Sequence, residues 1–228
     1  MFCEVARGHG LARDPFKALI ATRPIGWVST MNTRGEVNLS HYSFFNLIAE
    51  RLHLVSFSSQ EHKDSMIFAE EGGDFVCNLA NWDLRHEVNT SAMPFPRGVN
   101  EIDAVRLLAE PSRLVRPPRV ADAAGALECQ WIDTVQLKGV GGKPAEYFLV
   151  IGEVLGIHID DRFLTDGQLD TAAMRPIMRG GYQDYFMGNE IGRCGPPLAA
   201  HRGSNILPNA FSTTTCRRVR HNAAGYCM

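Results

Sequence analysis

The chain has 228 residues, 45% of them hydrophobic and 21% charged, a composition that fits one large β-rich globular domain or two small ones. No apolar run reaches 18 residues, so the sequence predicts no membrane-spanning helix. The amino terminus lacks the apolar core of a secretory signal, and the six cysteines show neither a C-x-x-C pair nor the spacing of zinc ligands. We therefore expect a cytoplasmic protein with reduced thiols.

Charge is distributed unevenly along the chain. Residues 1–190 contain 18 lysines and arginines against 25 aspartates and glutamates, whereas residues 191–228 contain five arginines and no acid. The first segment, predicted to be one domain, therefore lacks the basic surface that binding to nucleic acid needs. The second is predicted to be a basic, loosely ordered C-terminal tail, either solvated or bound to an acidic partner.

Six strands and four helices are predicted from the apolar runs and from the Gly, Pro and Asn residues that separate them. The first two strands form a hairpin around a turn at 32–35. Gly72 and Gly73 end the first helix, and Asn81 caps the second. The predicted strands are 25–31, 36–40, 52–58, 75–79, 126–137 and 147–159, and the predicted helices are 63–71, 81–90, 101–108 and 169–177.

This order of elements favours an antiparallel barrel. It lacks the regular alternation of strands and helices of a doubly wound parallel sheet, and no G-x-G-x-x-G sequence links a strand to a helix. Short strands with helices between them fit a β-barrel that carries helices on its rim. The predicted fold class is therefore mainly β with peripheral helices.

The motifs of hydrolases and nucleotide-binding loops do not occur: there is no G-x-S-x-G, no H-E-x-x-H and no P-loop. His158 lies beside Asp160 and Asp161, where it is either a metal ligand or, as is more common at a strand end, a structural residue. Cys77 and Cys129 are expected to be small buried side chains in apolar strands. We predict no catalytic side chain and no metal site, so that a bound cofactor supplies the chemistry.

Hydroxyl, amide and basic residues concentrate in the stretch 22–65. Lys63 and Ser65 flank the start of a predicted helix, where free backbone N–H groups and the helix dipole attract an anion. With Arg23 as a second cation, these residues suit a phosphate monoester. The alternative is that Asp64 and Ser65 only cap the helix and that Lys63 is solvated.

Three segments of this stretch carry a resemblance to a known family. They are Arg-Pro-Ile-Gly-Trp-Val-Ser-Thr at 23–30, Asn-Leu-Ser-His-Tyr-Ser-Phe-Phe-Asn at 38–46 and Lys-Asp-Ser at 63–65. In order and spacing they resemble the flavin reductase-like family of FMN-binding split β-barrels. The similarity continues to Ile-Gly-Glu-Val at 151–154 and covers about residues 1–188.

The resemblance implies a fold, a cofactor and a mode of assembly. The family fold is a six-stranded antiparallel split β-barrel with peripheral helices, and it forms homodimers that bind FMN at the subunit interface. Several members use NADH or NADPH to reduce flavin. Carried over by position, the implied FMN-binding residues are Arg23, Trp27, Val28, Ser29 and Thr30 along the first strand, Tyr42, Ser43, Phe45 and Asn46 at the ring and ribityl chain, and Ser58, Ser59, Lys63 and Ser65 at the phosphate.

The sequence departs from the family in two places. Ser40 and His41 stand where members carry Ala-Pro, and we expect His41 to point to solvent rather than to change the pocket. Members end with a short strand soon after the Asp-Tyr at 184–185, whereas this chain continues into the basic tail.

The leading hypothesis for function is an NAD(P)H-dependent oxidoreductase, in which hydride passes from the nicotinamide to FMN and electrons then pass to an acceptor. The alternative is a non-catalytic FMN-binding electron carrier similar to flavoredoxin. A third hypothesis is a split-barrel scaffold that binds another ligand, such as haem or pyridoxal phosphate. Neither a membrane nor a nucleic acid is expected as a partner.

Overall fold

The chain forms short helices around a mainly antiparallel β structure. The computed structural model describes residues 2–193 and 217–219. The α-helices are α1 (Phe16–Leu19), α2 (Asp64–Gly72), α3 (Arg85–Thr90), α4 (Glu101–Ala104) and α5 (Thr171–Met174). The strands are β1 (Arg23–Pro24), β2 (Gly26–Met31), β3 (Val37–Tyr42), β4 (Phe45–Ala49), β5 (Leu54–Gln60), β6 (Asp74–Leu79), β7 (Ala109–Glu110), β8 (Arg119–Val120), β9 (Gly125–Lys138), β10 (Pro144–Ile159), β11 (Leu164–Thr165), β12 (Gln168–Leu169), β13 (Ile177–Arg179), β14 (Tyr185–Met187), β15 (Ile191–Arg193) and β16 (Arg217–Val219).

Seven of these strands make one antiparallel sheet in the order β3-β2-β6-β9-β10-β5-β4. All six predicted strands lie in this sheet, and the mainly β, split-barrel fold is confirmed. The sheet has one strand more than expected, because β4 also pairs with β5. Phe45 is the one buried residue of β4, so this strand lacks the apolar alternation that marks a strand in a sequence.

The two outermost strands of the sheet, β3 and β4, are neighbours in the chain. β3 ends at Tyr42 and β4 begins at Phe45, so Ser43 and Phe44 alone connect opposite edges of the sheet. Three Cα steps span at most about 11 Å, roughly two strand spacings, and the sheet must therefore curl until its edges approach each other. The Ser58 N–H on β5 donates to the Phe44 carbonyl at 2.8 Å beside this link. The result is a barrel that is split between β3 and β4. We call this split, with the Ser43–Phe44 link that crosses it, the seam.

Side chains of the sheet fill two separate apolar clusters. The barrel interior contains Val28 and Phe57, whereas the second cluster contains Trp27 together with Val88 of α3 and Ile102 of α4. Successive residues of a strand point to opposite faces, so Trp27 and Val28 enter different clusters. Because both faces of β2 are covered, the strand is buried along almost its whole length.

Helix α2 packs against the barrel through Met66 and Ala69, which join the interior cluster. It ends as predicted, because Gly73 adopts a left-handed conformation with φ 78° and its N–H donates to the Ala69 carbonyl at 2.9 Å. In its first turn, the Ser65 hydroxyl donates to Asn38 Oδ1 on β3 at 2.6 Å. The amino end of α2 is thereby fixed beside the edge strand that leads into the link.

The last two predicted helices are shorter in the structure than the sequence suggests, since α4 and α5 contain four residues each. Helix α5 ends where Arg175 adopts a left-handed φ of 48°, and Pro176 then prevents its continuation. Ile177, expected in the helix, instead begins β13. Within residues 2–193 and 217–219, no helix has the length and apolar character needed to cross a membrane.

The chain divides into two compact units, Met1–Gly188 and Asn189–Met228. In the second unit, β15 and β16 pair in antiparallel fashion. Residues 194–216 and 220–228 lie outside the described part of the chain, and most of the predicted loosely ordered tail falls there.

Gly26 makes the close packing at the seam of the barrel testable. A Cβ atom at this position would lie 2.6 Å from the Phe45 ring, so we expect Gly26→Ala to lower the free energy of unfolding by about 1–3 kcal/mol. Chemical denaturation followed by circular dichroism measures this loss. Gly139→Ala is the control, since the added Cβ there would have its nearest atom, the Lys143 carbonyl oxygen, at 3.7 Å. Equal losses in the two variants would contradict close packing at the seam.

Candidate functional site

The link between β3 and β4 brings one group of predicted site residues together. Tyr42 ends β3, Phe45 and Asn46 begin β4, and Ser43 lies between them. Strand β5 runs beside β4 and carries Ser58 next to the link. Phe45 is buried, whereas Ser43 and Ser58 are half-buried and Asn46 is exposed. Polar groups therefore border solvent along the seam while an aromatic ring closes it from inside.

Four hydroxyl side chains approach each other beside the seam, those of Tyr42, Ser40, Ser59 and Ser65, and we name them the hydroxyl cluster. Burial raises the pKa of Tyr42, and the hydroxyls of Ser65, Ser59 and Ser40 oppose that rise. The Tyr42 Oη is nevertheless buried without a hydrogen-bond partner among the residues described. These three hydroxyls are therefore close to the Tyr42 Oη without a hydrogen bond of good geometry to it. A buried hydroxyl left in this state costs about 1–3 kcal/mol and is available to a ligand.

The buried carboxylate of Glu101 is connected to the hydroxyl cluster by hydrogen bonds. Glu101 accepts hydrogen bonds from Asn38 Nδ2 and from the Leu39 N–H, both at 2.8 Å. Asn38 in turn accepts from Ser65, which completes a chain from α4 through β3 to α2. The pKa of Glu101 is raised, because the effect of burial exceeds that of these hydrogen bonds, which favour the charged carboxylate. Glu101 is not recognisable as a site residue from the sequence, because its partners are more than 60 residues away and no local pattern marks the contact.

The amino end of α2 carries free donors and a free cation. Lys63 is the N-cap residue, and no side chain caps the helix, so its first backbone N–H groups are open to a ligand. Within the described residues the exposed Lys63 ammonium makes no ion pair, whereas Asp64 pairs with Arg97 at 2.6 Å. Ser59 is buried and its hydroxyl donates to the Glu61 carbonyl at 3.3 Å. This end of the helix therefore has the chemistry of an anion site.

Strand β2 holds four predicted site residues with different surroundings. The Trp27 indole N–H donates to Ser91 Oγ at 2.9 Å, and the Ser29 hydroxyl donates to the Pro118 carbonyl at 2.5 Å. Both side chains are fully buried and already satisfied, on the face away from the barrel interior. Val28 packs in the interior cluster. Thr30 is also fully buried, but its hydroxyl has no partner within the described part of the chain.

Arg23 is held by backbone carbonyl groups. Its Nη1 donates to the carbonyls of Lys17 and Ile20 at 2.5 and 2.7 Å, and its Nη2 donates to the Gly180 carbonyl at 2.7 Å. The guanidinium carbon lies 5.9 Å from the centre of the Phe44 ring. The Nε–H is buried without a partner in residues 2–193 and 217–219. Arg23 thus fixes the N-terminal segment to the seam and has one donor left.

His158, for which the sequence leaves open a role as a metal ligand, contacts a carboxylate in the structure. His158 Nε2 contacts Glu128, which also accepts from the N–H groups of Arg113 and Leu114 at 2.8 and 2.6 Å. The neighbouring Asp160 pairs with an arginine, not with the histidine. No group of three or more His, Cys, Asp or Glu residues suited to a metal ion occurs in the part of the chain that the structure describes.

Comparison with known families decides the class of protein. A family profile described as flavin reductase-like domain matches residues 20–172, which is more than half of the chain. The chain belongs to the flavin reductase-like family. The matched segment contains the seam, the hydroxyl cluster and the amino end of α2.

A relative and two solved structures agree with the assignment. An uncharacterised protein of Halalkalibacterium halodurans is 31% identical over 198 residues, covering 83% of this chain and 91% of its own length. The crystal structure of nitrilotriacetate monooxygenase component B from Bacillus cereus is 26% identical with a TM-score of 0.75, and the match covers 86% of this chain and 98% of that one. Flavoredoxin of Desulfovibrio vulgaris shares the fold with a TM-score of 0.68 at 15% identity, covering 85% of this chain and 98% of its own.

The residues of this flavin reductase-like barrel fit a ligand that forms hydrogen bonds, as a flavin does. Five buried side-chain nitrogen and oxygen atoms of the described residues lack a hydrogen-bond partner, and three belong to Arg23, Thr30 and Tyr42. The other two are Glu87 Oε2 and Arg119 Nε. Buried polar groups in folded proteins are nearly always paired, so a concentration of unpaired atoms among predicted ligand-binding residues favours a bound partner molecule.

His41, expected in solvent, is instead half-buried, which corrects the prediction. Its Nδ1–H donates to the Val88 carbonyl of α3 at 3.0 Å, so the ring is drawn against the helix layer. The pKa of His41 is lowered, mainly by burial and then by the positive charge of Arg179. The hydrogen bond to the Val88 carbonyl opposes this shift, and the charge of Lys63 adds to it. The lowered pKa favours the neutral imidazole at this position, between β3 and α3.

Thermal stability should report the lowered pKa of His41. In the unfolded chain a histidine has a pKa of about 6.5, so below that pH the unfolded state binds the proton first and the folded state loses stability. We therefore expect the melting temperature to fall less between pH 7.5 and pH 5.5 in His41→Gln than in the wild type. Differential scanning calorimetry measures both profiles, and His53→Gln, at an exposed side chain, is the control. Identical slopes in wild type and His41→Gln would contradict this account.

Proposed function

We propose that the protein binds FMN, accepts hydride on it from NADH or NADPH and passes the electrons to an acceptor. The observation that carries the proposal is the set of buried, unpaired atoms of Arg23, Thr30 and Tyr42 in a chain of the flavin reductase-like family. The likeness to a monooxygenase component at 26% identity supports an oxidoreductase.

The proposal assigns the FMN phosphate to the amino end of α2. Lys63 supplies an ammonium without an ion-pair partner among the described side chains, and the uncapped helix supplies backbone N–H donors. Ser59 and Ser65 belong to the adjacent hydroxyl cluster, and Ser65 lies in the first turn of α2. A single phosphate position without a second nucleotide-binding fingerprint in the sequence favours FMN over FAD.

The ring and the ribityl chain are assigned to the seam. Tyr42, Ser43, Phe45 and Asn46 border it, with hydroxyl and amide groups facing a site closed by an aromatic ring. Ser58, which the resemblance places at the phosphate, lies beside the same link and is proposed to contact the ribityl chain instead. Trp27, Val28 and Ser29 contribute to the site by holding β2 in place, since their side chains are packed or already hydrogen-bonded.

In this proposal the cofactor carries the chemistry and the chain positions it. FMN, when bound, accepts hydride and releases electrons to an acceptor. The residues have to supply hydrogen-bond donors where negative charge develops, and the Thr30 and Tyr42 hydroxyls are donors with no other use in the described structure. No side chain has to act as a general base, which agrees with the missing catalytic motifs.

We also propose that FMN binds between two subunits of a homodimer. Strand β4, which carries Phe45 and Asn46, exposes the large apolar side chains of Leu47 and Ile48, 63% and 48% accessible. Apolar side chains grouped on one edge of a barrel support contact with another protein surface. A second copy that covers them would lie directly beside the seam.

The cysteines support the proposed cytoplasmic location. Cys3, Cys77 and Cys129 are free thiols in the structure, and the last two are buried in neighbouring strands. Free thiols persist in the reducing compartment in which nicotinamide nucleotides act.

The second candidate function is that of an electron carrier with bound FMN but no turnover of nicotinamide. The likeness of the fold to flavoredoxin, with a TM-score of 0.68, favours it as the alternative. Both functions need the same flavin site, so they differ in reactivity and not in binding.

Tyr42→Phe tests the flavin site. Because Tyr42 Oη has no partner within the described structure, its removal should leave the stability of the FMN-free protein unchanged or slightly higher. The dissociation constant for FMN should rise about 2- to 12-fold, as for the loss of one hydrogen bond. Flavin fluorescence titration and chemical denaturation measure the two effects. Tyr147→Phe, which removes an exposed hydroxyl that donates to Gln60 at 3.3 Å, is the matched control; equal FMN affinity in wild type and Tyr42→Phe would contradict the site.

Stopped-flow mixing of the FMN-loaded protein with NADH and with NADPH separates the two functions. We expect either nucleotide to bleach the flavin absorbance band within seconds. Dithionite, which reduces flavin without a nicotinamide site, is the control for a reducible cofactor. Bleaching by dithionite but by neither nucleotide would contradict the reductase function and support the electron carrier.

A further inference from the structure

A cavity lies between helix α3 and the strand pair β13–β14, apart from the residues assigned to flavin. Its volume is about 510 Å³, within the range of small-molecule sites. The residues that line it and matter here are Trp82, Arg85, His86, Asn89, Arg179 and Tyr185. None of them is among the thirteen residues predicted to hold FMN.

Two arginines of this cavity are held in fixed positions. The Arg85 guanidinium carbon lies 5.3 Å from the centre of the Trp82 ring, and Arg85 Nη1 donates to the Trp82 carbonyl at 2.9 Å. The Arg179 guanidinium carbon lies 4.4 Å from the centre of the Tyr185 ring, and Arg179 Nη2 donates to the Tyr182 carbonyl at 3.0 Å. A guanidinium has five N–H donors, so each arginine keeps several that are not used by these contacts.

The charge of the cavity is positive and is not balanced by its own lining. Among the described residues that line it there is no aspartate or glutamate. The nearby Asp83 carboxylate is engaged elsewhere, since it pairs with Arg175 at 2.5 Å. Two pre-positioned guanidinium groups with free donors are well suited to a carboxylate or a phosphate, and the Trp82 and Tyr185 rings offer apolar faces beside them.

Arg179 connects this cavity to the flavin side of the molecule. On β13 it lies opposite Arg23 of β1. The pKa of Arg23 is lowered first by burial and then by the positive charge of Arg179. After burial, the positive charge of Arg179 also contributes to the lowered pKa of His41, which precedes Tyr42 of the hydroxyl cluster on β3. Arg23 in turn lies over the Phe44 ring of the seam. A ligand anchored on Arg179 is therefore adjacent to the residues assigned to FMN.

We propose that the cavity of Arg85 and Arg179 binds the anionic group of a planar molecule that exchanges electrons with the flavin. This inference rests on the proposed function for the role of the ligand, although the binding site itself does not. The recognised chemistry is a phosphate or carboxylate next to a planar ring. It is carried either by the nicotinamide nucleotide that donates hydride or by an aromatic acid that accepts electrons.

Equilibrium titration of the full-length protein with NADH, NADPH and benzoate tests the cavity. Trp82 lies in its wall, so a bound ligand changes tryptophan fluorescence whether or not FMN is present. We expect Arg85→Gln and Arg179→Gln each to raise the dissociation constant of at least one of these ligands about tenfold or more. Arg13→Gln is the matched control, because Arg13 also lies over a tyrosine, 5.5 Å from the Tyr182 ring, but does not line the cavity.

The outcomes separate the sources of the ligand. Weakened binding of the nucleotides alone identifies the phosphate of the hydride donor, and weakened binding of benzoate alone identifies an acceptor carboxylate. Unchanged dissociation constants in Arg85→Gln, an equal loss in Arg13→Gln, or no binding of any probe by the wild type would overturn the inference. Titration of the same proteins with FMN shows independently whether the proposed function fails, since Arg85→Gln should bind FMN like the wild type.

Discussion

Ser43 and Phe44 join two strands that lie at opposite edges of a seven-stranded sheet, and so short a connection requires the sheet to close. Closure brings Tyr42 at the end of β3 to Ser58 and Ser59 on β5 and to the first turn of α2. Residues far apart in the chain thereby form one polar seam. The candidate flavin site is thus a direct consequence of the topology, and the same link places an aromatic ring, that of Phe45, beneath it.

The seam combines satisfied and unsatisfied polar groups in a way that stability alone does not explain. The chain of hydrogen bonds from Glu101 through Asn38 to Ser65 fixes β3 and α2 relative to each other. Beside it, the buried hydroxyls of Thr30 and Tyr42 have no hydrogen-bond partner within the described residues. Such groups lower the free energy of unfolding of the ligand-free protein. A rigid frame around unused donors is the arrangement expected where a ligand completes the hydrogen bonds.

Much of the fold could be predicted because its signals are local. Runs rich in aromatic and aliphatic residues mark β2 and β6, and the glycine at position 73 marks the end of α2. Strand β4 escaped because its existence depends on barrel closure, a long-range pairing that leaves most of its side chains exposed. The same limit applies to the site: the motifs identify Trp27 and Ser29 as candidates, but only tertiary packing shows that both side chains already have protein partners.

Amide hydrogen exchange followed by mass spectrometry, with and without FMN, tests most directly whether the seam is the flavin site. The account predicts that FMN slows exchange in the peptides that cover residues 40–46 and 56–66, which contain the link and the amino end of α2. Peptides from β11 and β12, which lie outside the seven-stranded sheet, should exchange at the same rate in both states. Protection confined to other segments, or no protection at saturating FMN, would contradict the assignment of the flavin to the seam.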